Sequence, residues 1–180
     1  MILLLYAHPY PHRSRAGAAL LSAIEGLPGL QVRSLYELYP DFDIDTEAEQ
    51  AALAAADAVV WMHPIYWYTV PALMKHWFEK VLVRGFAYGP GGSRVAGKPV
   101  LWVATTGGDE AAFSVEGRHH HDFSDFVPVV EETARYCGMD WQPPFILNGA
   151  HMVPDATLLA AGNALRQRLE AFVPAAVAVP

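Results

Sequence analysis

The feature that most constrains this chain is an alternation. Five short apolar runs are each followed or preceded by a stretch with helical patterning. The runs are ILLLYA (2–7), LQVRSLY (30–36), AVVWMH (58–63), PVLWVATT (99–106) and a less regular one near 144–150. A strand apolar at nearly every position, rather than every second one, must be covered on both faces. Between the runs lie helical segments over 15–26, 46–56, 71–83, about 124–137 and about 155–172. Ser14, Asp45 or Thr46, and Asp155 are candidate caps, and Gly26 with Pro28 closes the first helix. Pro71 suits the first position of the third helix, which sets Leu73, Trp77 and Val81 on one stripe. Right-handed crossovers then predict an α/β fold: a three-layer, doubly wound, five-stranded parallel sheet. The whole of 1–180 reads as a single domain, with the AAVAVP tail (175–180) frayed or docked on the surface.

Composition narrows the function. Hydrophobic residues make up 53% of the chain and charged residues 17%, as in a globular protein rather than a disordered one. The formal net charge of −7 argues against a nucleic-acid partner. Cys137 is the single cysteine, so no intrachain disulfide is expected and a reducing, cytoplasmic location fits. The first apolar run starts at Ile2 without a basic segment before it, which points away from a secretory signal. Peripheral attachment to the inner face of a membrane stays open. Charge is unevenly placed: from Ser34 to Met74 there is no Lys or Arg, yet seven acids fall there. By contrast, the stretch AHPYPHRSRAG (7–17) carries His8, His12, Arg13, Ser14 and Arg15 with no carboxylate, which suggests a specific anion site.

Ligands of doubly wound sheets bind at the carboxyl ends of the strands. Three strand-end loops therefore matter. The first can cradle a phosphate at a helix N-terminus, or it can be a cap beside solvated arginines. The second, HPIYWYTVPA, can wall a flat ring with its aromatics, or bury them in the core or in a subunit interface. The third, TTGGDEAAF, offers two hydroxyls and backbone N–H groups exposed by glycine, or is merely a turn. There is no Walker loop and no G-x-G-x-x-G, so a P-loop NTPase or an ordinary NAD-binding Rossmann domain is not expected. Together the three loops predict an aromatic nucleotide whose phosphate occupies the first.

Several longer stretches, YAHPYPHRS, LYELYPDFDID, WMHPIYWYTVPALMKHWFEKV, GFAYGPGGSRVAGK and TTGGDEAAF, resemble the flavodoxin-like NAD(P)H:quinone oxidoreductases. Within that family they are most similar to the ancillary flavoproteins of glutathione-gated (Kef-type) potassium efflux systems. The resemblance runs from Met1 to about Phe172 and implies a flavodoxin-like fold, a homodimer and a bound flavin. FMN is implied ahead of FAD, because the long C-terminal extension of larger FAD-using relatives is missing. By position, His8 and Ser14, Arg15, Ala16 and Gly17 would hold the phosphate. Pro64, Ile65, Tyr66, Trp67 and Tyr68, with Thr105, Thr106, Gly107 and Gly108, would line the isoalloxazine. His119, Gly107 and Gly108 are the implied catalytic group. The implied reaction is ping-pong, two-electron hydride transfer from NAD(P)H to a quinone, and the implied partner is the cytoplasmic side of a potassium efflux transporter.

Two departures stand out. Relatives commonly carry Asn where this chain has Gly17, a hydrogen bond that Arg15 could replace. Quinone reductases of the animal type place Tyr and His after the Gly-Gly loop; here those positions hold Phe113 and His119. A regulatory flavin-binding subunit with little turnover, and an azo- or nitroreductase-like enzyme, are therefore the competing expectations. The triplet His119, His120 and His121 suggests a metal, but consecutive residues point different ways and no acid or cysteine spacing completes a site, so none is expected. His63 and His76 are expected to be structural.

Overall fold

A computed structural model describes residues 1–173, and the 175–180 tail lies outside that range. Five strands, β1 (Ile2–Tyr6), β2 (Leu30–Ser34), β3 (Ala58–Pro64), β4 (Pro99–Thr105) and β5 (Asp140–Leu147), form one sheet. All pairs are parallel, in the order β2-β1-β3-β4-β5. The helices are α1 (Arg15–Ile24), α2 (Leu35–Leu38), α3 (Thr46–Ala55), α4 (Ala72–Val81), α5 (Val127–Tyr136) and α6 (Asp155–Glu170). Among the described residues no helix is long and apolar enough to cross a membrane.

Side chains alternate across the sheet and fill two cores. Leu3, Leu5, Val59, Trp61, Val100 and Trp102 face α3, α4 and α5. Ile2, Leu4, Val60, Met62, Leu101 and Val103 face α1 and α6. This is why β1, β3 and β4 read as unbroken apolar runs: each side of each strand is inside. The predicted stripe Leu73, Trp77 and Val81 is fully buried on α4.

Among the described residues the interior holds one carboxylate. Glu49, on α3, is fully buried and fully partnered. One carboxylate oxygen accepts from Arg33 Nε (2.8 Å) and from the Tyr39 hydroxyl (2.7 Å), and the other from the Trp77 indole N–H (2.8 Å). Full pairing is what lets a carboxylate stay there. The clasp ties β2, α3 and α4 beneath the acidic stretch.

Several boundaries differ from the sequence reading. β5 begins at Asp140 rather than near 144, because it is an edge strand paired only with β4. Such a strand tolerates the two missing N–H groups of Pro143 and Pro144. Pro71 precedes α4 instead of opening it, and Pro154, not Asp155, stands at the cap of α6. The segment predicted as one helix over 124–137 is a 3-10 turn, Phe123–Phe126, leading into α5.

Candidate functional site

The loops after β1, β3, β4 and β5 meet at one edge of the sheet. They enclose a cavity of about 430 Å³ that runs into a second of about 260 Å³, the two sharing Ile65, Trp67, Thr106 and Gly107.

One end is basic. Ser14 caps α1, its Oγ accepting from Gly17 N at 3.1 Å. Among the described residues the N–H groups of Arg15 and Ala16 have no acceptor, as expected of a helix start. The Tyr10 N–H donates to His8 Nδ1 at 3.0 Å. Neutral His8 therefore carries its hydrogen on Nε2, the atom free to donate elsewhere. Burial, and then the neighbouring His151, push its pKa below the usual imidazole value. No Asp or Glu lines this cavity. His8, Ser14, Arg15 and Ala16 all line it. Gly17 lines neither cavity. Arg15 is not free to replace a lost side chain there. Its guanidinium donates to the Val153 carbonyl (2.6 Å) and the Asp155 carboxylate (2.5 Å).

The other end is aromatic. Tyr66 and Thr69 exchange backbone hydrogen bonds of 3.0 and 3.1 Å, so Trp67 and Tyr68 form a two-residue reversal. Both have positive φ, +48° and +65°. Such turns favour Asn and Gly, and a bulky aromatic there is strained. The reversal leaves Trp67 88% exposed. The alternative of core burial within this chain is thereby removed for Trp67, and Tyr68 too is exposed. Pro64, Ile65 and Tyr66 line the basic cavity together with Trp67, whereas Tyr68 lines only the second.

The two ends meet at the third loop. Thr105 and Thr106 are buried, and Gly107 opens onto both cavities. A Cβ added to Gly108 would stand 3.2 Å from His119 Nε2 and 3.2 Å from the Phe113 ring. Glycine thus admits the imidazole against the backbone. His119 stacks on Phe113 with ring centroids 4.5 Å apart. Its other nitrogen, Nδ1, faces the Tyr68 hydroxyl at 3.5 Å.

Arg13, of the predicted anion loop, lines the first cavity; Tyr10, Ala150, His151 and Arg118 also line the cavities, and the sequence reading did not single them out. The single sequence signal for His151 was its place just past a strand end. His63 is buried: its Nδ1–H donates to the Pro64 carbonyl (2.9 Å) and its Nε2 accepts from the Trp102 indole (2.8 Å). Among the described residues no group of three or more His, Cys, Asp or Glu is arranged to hold a metal ion.

A family model described as flavodoxin-like fold matches residues 1–169. The chain belongs to that flavodoxin-like family. It is 48% identical over 169 residues to the glutathione-regulated potassium-efflux system ancillary protein KefF of Klebsiella pneumoniae, covering 94% of both chains. The KefF of an Enterobacter species is 47% identical, with 94% of this chain and 95% of that one covered. Among solved members with this fold, general stress protein 14 of Treponema denticola, in complex with FMN, superposes with a TM-score of 0.87 at 28% identity, covering 95% of this chain and 98% of that one. An NADPH-quinone reductase from P. pentosaceus gives 0.85 at 26% identity, covering 93% and 96%.

Proposed function

We propose that this protein is an FMN-dependent NAD(P)H:quinone oxidoreductase that also serves as ancillary activator of a glutathione-regulated potassium efflux transporter. The observation that carries the reading is the cleft. It joins an acid-free, N–H-rich end to a flat aromatic end through the exposed backbone of Gly107 and Gly108. That donor set fits a phosphorylated, planar cofactor. The helix start and His8 suit the phosphate, and the aromatics suit the ring. KefF relatives near half identity support the transporter role, and the FMN-bound and quinone-reductase neighbours support cofactor and chemistry. FMN is preferred to FAD. The protein acts as a homodimer in the cytoplasm, peripheral to the membrane through its transporter.

The chemistry that FMN would supply in this cleft is hydride transfer between NAD(P)H and a quinone. The chain's part is to bind, orient and supply protons. The first turn of α1 and His8 would hold the phosphate. Trp67 and Ile65 would bound the ring, and the backbone N–H groups around Gly107 and Gly108 would offer donors to its polar edge. His119 holds the proton beside Gly108. Phe113 cannot donate one, but Tyr68, from the second loop, brings a phenol to Nδ1 of the same imidazole.

The test is flavin release from the purified protein, followed by NAD(P)H oxidation with several quinones. His119→Ala should lower kcat by about 10²-fold, the low end for a positioned acid or base, with the FMN Kd unchanged. Flavin-loaded protein that oxidises no NAD(P)H with any quinone would overturn the enzyme reading. The regulatory-subunit reading, favoured by Phe113 in place of a proton donor, would then lead. Its own check is efflux with the gene deleted beside its transporter.

A further inference from the structure

The geometry points to His151, on the loop between β5 and α6, as a ligand of the cofactor phosphate. This rests on the FMN reading above and adds a fourth loop to the three that build the site.

The loop is held on both sides of the cavity. Towards the third loop, Gly149 N donates to the Gly108 carbonyl (2.7 Å) and Ala150 N to the Thr106 carbonyl (2.8 Å). Thr106 Oγ1 donates to Asn148 Oδ1 at 2.9 Å. Towards the first loop, Arg15 grips Val153 and Asp155. The arginine that seemed destined for the anion instead fastens this loop to the start of α1. Gly149, with φ +66°, turns the chain, and Met152 N and Val153 N close onto its carbonyl. His151 sits within that closed turn and lines the basic cavity.

Its ring lies over Gly107, 3.7 and 3.8 Å from where a Cβ there would stand. No side-chain hydrogen bond engages it among the described residues. It is close enough to His8 to disfavour charge on that imidazole. The remaining charged groups on the cavity are Arg13, which is exposed, and Arg15, already neutralised by Asp155. Two imidazoles and an arginine face a space without a carboxylate. A dianion there would draw hydrogen bonds from both rings.

The experiment compares FMN with riboflavin, which has the same ring and no phosphate, by quenching of flavin fluorescence. For His151→Ala the FMN Kd should rise about tenfold, the scale of one charge-assisted hydrogen bond, with riboflavin changed less than about twofold. His151→Arg should retain most FMN affinity. Equal weakening for both flavins, or no change for either, would overturn the assignment and leave His151 as wall only. Wild-type protein that binds neither flavin would overturn the FMN reading itself, a result distinct from a variant that binds as well as wild type.

Discussion

Gly17 stands where this chain has no room for a side chain. A Cβ there would stand 2.3 Å from the Tyr6 hydroxyl and 2.4 Å from Ser14 Oγ. Tyr6 is buried at the end of β1 and has nowhere to retreat. Ser14 can rotate, but only by giving up its cap on Gly17 N. Gly17→Ala should therefore cost about 1–3 kcal/mol, from overpacking plus a weakened cap. The Tyr6 hydroxyl is buried without a hydrogen-bond partner among the described residues, so Tyr6→Phe alone should be neutral or slightly stabilising. Combined with Gly17→Ala it should recover part of the loss. Denaturation of the two single variants and the double one measures this coupling, and strict additivity would show that the hydroxyl is not the obstacle. The sequence displayed the glycine but not its reason, because Tyr6 and Gly17 meet only once β1 and α1 are packed.

Elements were legible where a strand had covering on both faces, and less so where it did not. β1, β3 and β4 announce themselves as apolar runs. β5 is half-buried along much of its length and carries Pro143 and Pro144, so periodicity and proline rules both argued for a later start. The same logic hides side-chain ties between strands. His63 on β3 and Trp102 on β4 are joined by a 2.8 Å hydrogen bond in the core, directly beneath the loop that carries Trp67. Burial keeps His63 neutral, its pKa pushed down from 6.5 to about 4. Between those values the unfolded chain takes up a proton that the folded chain refuses. Stability from this group is thus complete above pH 6.5 and falls as pH drops toward 4, by about 3 kcal/mol at the low end. Urea unfolding at pH 7 and pH 4.5 should show that loss, and His63→Gln, which can still accept from Trp102, should flatten it. An equal slope in the variant would place the acid sensitivity elsewhere.

At the scale of the whole molecule, the three-layer parallel sheet followed from alternation and crossover handedness, and three of the four cleft loops from their place after strands. The fourth loop was hidden because His151 comes 143 positions after His8 and only the closed sheet brings them to one cavity. That closure has a thermodynamic consequence. The cleft draws on the loops after β1, β3, β4 and β5 and on the start of α1, so a ligand held there binds only when the sheet that both layers share is assembled. FMN at 100 times its Kd should stabilise the native state by about 2.7 kcal/mol. For a chain of this length that is a rise in Tm of roughly 5–11 °C. The rise should come as the shift of one cooperative transition, since neither core can melt without exposing a face of the shared sheet. Calorimetry with and without FMN checks it. Two transitions, with only one moving on FMN addition, would mean that the two layers unfold separately and that 1–180 does not behave as one domain.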